Sequence, residues 1–448
     1  MTKAHSPVSQ ATHYSSAECT SLIEALEKKY EYIDEKDEFA SLVNFSTAKA
    51  EPYQHWVRYR EGYSTILIDE LLRRSQLNKE EFCVADPMVG SGSTVISAVR
   101  NGYSAFGLDV NPYCKLIIDA KLLHPTKADI NAALNLASNI KTNCYVSNND
   151  VPLQNYFPDE NRTALFNIRE QISGVDNYVA KKILEAAWFF ILESCSNRKK
   201  DGNGLATRPA PVTDVYSFFK DTVSNIIKDY MDHPLPSEPR SEVYTGSAME
   251  FTEYADNFKQ LSGKKLGAII FSPPYANSFD YFESYKLELL FGGFFTWEQF
   301  KEEKGKLIRN YRICYGKQLE SEFPVVEALC KEINSAIPIK EKLLGKRDGR
   351  TRLMPNMLRG YFQDMDNVLK QLFAALNAGG RCYIVVDQSA YVGVIVPTDV
   401  ILAHIAELHN FQVESISVCR RAATSGQQLK RYPYLKESLR ESIITLRK

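Results

Sequence analysis

The chain has 448 residues, 44% apolar and 24% charged, with 54 Lys and Arg against 55 Asp and Glu for a formal net charge of −1. This is an ordinary folded, soluble composition with room for two or three domains, or one domain with large insertions, and its bulk charge announces no polyanionic partner. Nine cysteines without a CxxC pair and seven histidines without HExxH spacing argue against a disulfide framework and any metal site.

The start, "MTKAHSPVSQATHYSS", has no apolar signal-peptide core, and no run of about 18 apolar residues suggests a membrane span. The expected setting is cytoplasmic and reducing, with no membrane partner. Residues 17–36 read as a short helix. "TILIDELLRRSQL" has helical periodicity, with Ile66, Ile68, Leu71 and Leu72 as its apolar stripe. "FCVADPMVGSGSTVISAVRNGYSAFGLDVNP" then parses as strand, Gly-rich turn, helix, Gly stop and strand. Phe82 to Ala85 form the first strand, Ser93 or Thr94 opens the helix, and Tyr103 to Leu108 form the second strand, ending at Asp109. That is half of a doubly wound unit. Residues 125–240 turn mainly helical, with "KKILEAAWFFILESCS" and "VYSFFKDTVSNIIKDYM". The α/β pattern returns at "SEVYTGSAME" and "LGAIIFSPPY". A second irregular stretch covers about 295–355. An amphipathic helix follows, with Phe362, Met365, Leu369, Leu372, Phe373 and Leu376 on one face. "RCYIVVD" is a strand, "PTDVILAHIAELHNF" a helix, and "VESISVC" and "ESIITLRK" pair as a closing antiparallel hairpin. Their connection, "RRAATSGQQLKRYPYLK", is long enough to be a loop with its own role.

Chemistry concentrates at two places. In "DPMVGSGST", Gly90 and Gly92 let the backbone approach a ligand, and the helix start offers free amides. Asp109, at the end of the next strand, stands where a doubly wound site puts the acid that takes ribose hydroxyls. No GK[ST] follows, which removes a P-loop. A dinucleotide site lacks its third glycine, because Ile96 stands there. S-adenosylmethionine needs no pyrophosphate cradle and suits the shorter turn, with Asp86 near the cationic methionine end. A purely structural turn is the remaining reading. The second place is "FSPPY". Two prolines fix two φ angles and remove two donors, so Ser272 and Pro273 present acceptors that stay still, and Tyr275 offers a stacking face. A rigid loop with the tyrosine packed inward is the alternative.

"DPMVGSGST" with "GLDVNP" and "FSPPY" resemble motifs I, II and IV of the amino-group DNA methyltransferases, enzymes that methylate cytosine-N4 or adenine-N6. "NFSTAKAEPYQHWVRYREGYS" resembles the preceding motif X, "VYTGSAME" sits where motif III belongs, and "GGRCYIVVD" looks like a later core strand. The resemblance covers about half the chain. Met88 replaces the usual Phe of motif I, and Ser247 stands where motif III often carries Asp. The order X, I, II, III, IV is atypical for serine-type corners, as is the insertion between motifs II and III. The implied fold is α/β: a doubly wound, mostly parallel, seven-stranded Rossmann-like methyltransferase sheet with an antiparallel closing strand, plus a mainly helical insertion. The implied division is an N-terminal helical arm (1–42), core with the cofactor turn (43–124), helical insertion as the candidate for target recognition (125–240), core with the proline corner (241–294), second insertion as a DNA-contact region and the rival candidate for target recognition (295–354) and core (355–448).

The resemblance implies S-adenosylmethionine as cofactor without a metal, held by Asp86, Pro87, Gly90, Gly92, Ser93, Thr94, Asp109 and Ser247. Ser272, Pro273, Pro274 and Tyr275 form the catalytic corner. Double-stranded DNA is the implied partner, with a cognate restriction endonuclease as a second. Serine before "PPY" leans to cytosine-N4, with adenine-N6 open. RNA base methylation, a silent nucleic-acid-binding relative and a nicotinamide oxidoreductase are the competing readings. Two basic runs are candidate phosphate contacts: Arg198, Lys199 and Lys200, and Arg347, Arg350 and Arg352.

Overall fold

The structure, a computed structural model, describes residues 14–43, 51–57, 59, 62–142, 151–201, 204–276, 279–316, 318–422 and 424–448. The first thirteen residues, positions 44–50, 58, 60 and 61 of the motif X stretch, and the 202–203 part of "SNRKKDGNG" lie outside the described residues.

In chain order the strands are β1 Tyr32–Asp34, β2 Phe82–Asp86, β3 Ala105–Asp109, β4 Arg198–Asp201, β5 Gly204–Thr207, β6 Ser241–Thr245, β7 Lys265–Phe271, β8 Arg381–Asp387, β9 Ser389–Tyr391, β10 Val394–Val396, β11 Gln412–Arg421 and β12 Arg440–Arg447. Eight of them build one sheet in the order β1-β11-β12-β8-β7-β2-β3-β6. β8, β7, β2, β3 and β6 run parallel, while β12 is antiparallel to both β8 and β11. This is the expected closing hairpin. The sheet has one strand more than the expected seven. The extra strand is β1, which pairs in parallel with β11 at the edge (Tyr32 opposite Ile416) and lies in what reads from sequence as a helical arm.

Helices cover both faces, as a mostly parallel sheet requires. Ala17–Lys29, Phe251–Ser262, Pro324–Leu344, Met354–Ala375 and Thr398–Leu408 pack on one face, around Phe271, Met365, Leu369 and Ile401. Thr65–Ser75 and Ser93–Arg100 cover the other. In the first of these two the buried face is Leu67, Ile68, Leu71 and Leu72, whereas Ile66 is 52% exposed. The predicted stripe is therefore one residue out at its start. Ser64 caps the helix, its hydroxyl accepting from the Ile66 amide at 3.1 Å, and the turn that follows sets Leu67 toward the sheet. The helices Lys127–Ser138, Asp159–Ser173, Tyr178–Cys195 and Val215–Asp232 form a second apolar core together with Phe282, Tyr285 and Phe291. The long connection after β11 holds two short helices, Gly426–Arg431 and Leu435–Ser438.

No helix among the described residues is long and apolar enough to cross a membrane.

Candidate active site

In an open α/β sheet the ligand crevice lies beyond the carboxyl ends of the strands where the winding reverses. Here that point falls between β2 and β7, which pair directly with Ala85 opposite Ile269. The sheet thus brings the ends of two strands side by side. One end carries Asp86 and the glycine turn, and the other carries the proline corner.

One cavity at this point is lined by Asp86, Pro87, Gly90, Ser93, Asp109, Ser247, Ser272 and Pro274, among others. Eight of the residues singled out from sequence therefore meet in one place. Gly92, Thr94, Pro273 and Tyr275 do not line it. Gly92 caps the helix at φ +91°, and a Cβ there would lie 2.6 Å from Ile118, so this glycine serves the turn itself. Thr94 is wholly buried, its hydroxyl 2.6 Å from that of Tyr63 and 3.1 Å from the Ile270 carbonyl. It ties the helix to β7. Tyr275 is half-buried, and its hydroxyl donates to Glu441 Oε1 on β12 at 3.3 Å.

The two carboxylates differ. Asp86 accepts from the Met88 amide (2.9 Å) and the Tyr63 hydroxyl (3.0 Å). Burial nevertheless pushes its carboxyl up to about 7, with the Asp109 charge adding to the rise. Asp109 accepts from the amides of Gly90 (3.1 Å) and Asn111 (2.9 Å), and burial raises it as well. A carboxylate has about four lone-pair sites, so Asp109 keeps capacity for a ligand's hydroxyls. Gly90 sits at φ +51° and turns its amide onto Asp109, which links the glycine turn to the second strand. Gly246, whose amide donates to the Asp109 carbonyl (3.0 Å), carries the chain past the same point to Ser247. The Ser247 hydroxyl caps a short turn through the Met249 amide at 3.3 Å.

Ser272 is the informative residue of the corner. Its Oγ is buried and has no hydrogen-bond partner among the described residues. Leaving a hydroxyl so costs about 1–3 kcal/mol, which a ligand's donor would recover. A cavity lined by this serine together with two carboxylates suits a ligand that carries cationic and hydroxyl groups.

Sequence reasoning missed several lining residues. Tyr59 and Tyr63 come from the motif X stretch, whose resemblance was the one signal for them, and Tyr59 stacks on Tyr285 at 5.2 Å. Lys306, Leu307 and Ile308 come from the second insertion and carry no sequence signal. Lys121, wholly buried, donates to the Ser91 carbonyl (2.7 Å) and Gln54 (3.2 Å), holding the glycine turn from beneath. Burial pulls its ammonium down to about 7.

One basic candidate is corrected outright. Lys200 is 3% exposed and donates to Glu288 Oε1 at 2.5 Å beneath the Tyr285 ring, so it cannot reach a phosphate. Arg198 lies over Tyr156, Lys199 is exposed, and Arg352 is held by Glu341 at 2.5 Å. Arg347 and Arg350 are exposed and line a separate cleft, which the 198–200 run does not reach.

No family model matches the chain. It is 25% identical over 471 residues to the type II methyltransferase M.BsoBI of Geobacillus stearothermophilus, covering 93% of this chain and 90% of the relative. It is also 25% identical over 445 residues to the type II methyltransferase M.AvaI of Nostoc sp., covering 91% and 89%. Among solved structures, the rRNA methyltransferase aviRa from Streptomyces viridochromogenes matches at a TM-score of 0.27 and 10% identity, over 86% of this chain and 85% of its own. Similarity to type II methyltransferases along nine-tenths of the chain bears out the resemblance to the amino-group DNA methyltransferases that the three motifs carry.

Proposed function

We propose that the protein is a site-specific DNA methyltransferase. It moves a methyl group from S-adenosylmethionine to the exocyclic amine of a base turned out of the duplex, with cytosine-N4 the preferred target and adenine-N6 the alternative. The observation that supports this most strongly is that Asp86, Asp109, the glycine turn and Ser272, whose Oγ has no hydrogen-bond partner among the described residues, line one cavity.

S-adenosylmethionine, when bound, supplies a methyl carbon made electrophilic by its sulfonium. Asp86 is the group for the cofactor's ammonium, Asp109 for its ribose hydroxyls, and Gly90 and Ser247 line the cavity between neighbouring strand ends. The chain's own part in the chemistry lies at the corner. A base amine is a weak nucleophile because its lone pair is delocalised into the ring. The Ser272 Oγ and, from just outside the cavity, the Pro273 carbonyl are the acceptors for its two protons and favour a pyramidal nitrogen, which on gaining the methyl group releases one of those protons to solvent. Proline has no N–H to compete, and its fixed φ keeps the acceptors in place, so their arrangement needs no reorganisation during transfer. Tyr275 offers a ring for the extruded base, steadied by its hydroxyl on Glu441. Transfer to a preformed electrophile depends mainly on in-line placement.

A restriction-modification role, with a cognate endonuclease as partner, goes with this reading because the relatives are type II methyltransferases. The test is to incubate the protein with methyl-labelled S-adenosylmethionine and either plasmid DNA or total RNA. Label in DNA supports the reading. Label confined to RNA, or none from protein that binds the cofactor, rejects it.

A further inference from the structure

A second, larger cleft opens beside the proline corner, and its walls come from two distant parts of the chain. One wall is residues 340–354, the other 424–432, and the floor is 387–392 at the end of β8 and in β9. The cleft is joined to the corner directly. Phe279 lines it, and Tyr391 on its floor donates through its hydroxyl to the Ala276 carbonyl, one residue beyond Tyr275.

Its charge is unlike the rest of the molecule. Lys340, Lys346, Arg347, Arg350, Lys430 and Arg431 line it against only two carboxylates, Asp348 and Asp387, in a chain whose overall charge is −1. Asp348 is already engaged by Lys340 at 2.5 Å. Lys346, Arg347, Lys430 and Arg431 form no ion pair within 4 Å with another described residue. Arg350 lies over the Tyr311 ring at 5.2 Å. The 424–432 wall is fixed to the floor rather than loose: Gln428 donates to the Ala390 carbonyl, and the Tyr434 hydroxyl donates to the Gly393 carbonyl at 2.6 Å. The helix Gly426–Arg431 is thereby docked so that Lys430 stays exposed at the cleft and Gln427 is exposed beside it.

From this we propose that the cleft is the seat of the DNA duplex, with Lys346, Arg347, Lys430 and Arg431 on its phosphates. The segment 424–432, rather than the helical insertion of 125–240, is then the wall facing the target. The assignment rests on the DNA-methylation reading and adds where the duplex lies. A cleft whose net charge is strongly positive, open beside the residue that receives the base, meets the two needs of such a seat: counterion release on binding and a short path to the corner. The 198–200 run meets neither, since Lys200 is buried in its ion pair and the run lies outside the cleft.

The experiment measures duplex affinity of the full chain against salt concentration for the wild type, K346A/R347A, K430A/R431A and R198A/K199A, with cofactor affinity measured alongside to show that each variant is folded. Removing one cation from a phosphate should lower the slope of log K against log salt by about 0.9, so each cleft pair should lower it by about 1.8. The assignment is overturned if both cleft pairs keep the wild-type slope while the wild type methylates DNA, or if only R198A/K199A flattens it. A wild type that binds and methylates RNA but not DNA overturns the functional reading itself, and with it the duplex seat.

Discussion

Asp86 gives a pH signature that follows from its burial. Its carboxyl is pushed up to about 7, against 3.8 for an unburied one. In the proposed binding mode the cofactor ammonium is held by the ionised form, so binding must first remove the proton. At pH 8 about 90% of Asp86 is ionised and at pH 6 about 10%, so cofactor affinity should weaken about tenfold between those values, roughly 1.4 kcal/mol. The same shift has an opposite consequence for the protein without cofactor. The unfolded chain releases this proton near 3.8 and the folded chain near 7. Between those values the folded state binds the extra proton, and the Asp86 contribution to stability falls as pH rises. Asp86→Asn should therefore flatten the affinity profile, weaken binding at pH 8 and raise the thermal midpoint of the free protein at pH 8 more than at pH 5. The assay is titration calorimetry with S-adenosylmethionine at pH 6, 7 and 8 in two buffers of different ionisation enthalpy, which also counts the proton released. A wild-type affinity that does not change across this range, with no proton release, refutes the placement of Asp86 at the ammonium. Asp109, raised in the same direction, is separated from Asp86 by the variant.

The corner and the insertion give three further expectations. Ser272→Ala should cut kcat about 100-fold while leaving cofactor affinity unchanged, as removal of one preorganised hydrogen bond in the transition state does; equal turnover in a single-turnover assay would remove Ser272 from the chemistry. Tyr275→Ala should lower kcat/KM for DNA by about 1–3 kcal/mol of stacking, whereas Tyr275→Phe, which removes the hydroxyl on Glu441 and keeps the ring, should retain most of it. Matching losses in both variants would point to the hydroxyl instead of the ring. Lys200→Ala should destabilise the fold by about 3–5 kcal/mol in denaturant titration, because Glu288 is left buried without its cation. If it instead weakens DNA binding in a fully stable protein, the buried-pair assignment is wrong.

The strand–turn–helix–strand unit over 82–109 was legible because every signal there is local. Apolar runs mark the strands, Gly92 and Gly102 take positive φ, and Asp86 and Asp109 fall at strand ends by position alone. The proline corner was legible for the same reason. β1 was not, because "YID" is three residues in a charged context and becomes a strand only through pairing with β11, nearly four hundred residues away. Ile66 misled because one helical turn offers two adjacent apolar residues, and only the sheet decides which of Ile66 and Leu67 is buried. Lys200 misled because a run of like charges reads as surface, while its partner Glu288 lies far along the chain. The basic cleft was half visible: the run of Arg347, Arg350 and Arg352 and the long 420–436 connection each stood out, but only the folded chain sets the two segments on opposite sides of one opening.

The identity of the methylated atom decides how the serine corner is to be understood. It is read by digesting plasmid DNA methylated by the protein with labelled S-adenosylmethionine and identifying the labelled nucleoside by chromatography and mass. The expected product is 4-methylcytosine, with 6-methyladenine the outcome that keeps the same corner and changes only the base. Label in 5-methylcytosine, or in RNA alone, would contradict a corner built to receive an exocyclic amine of DNA.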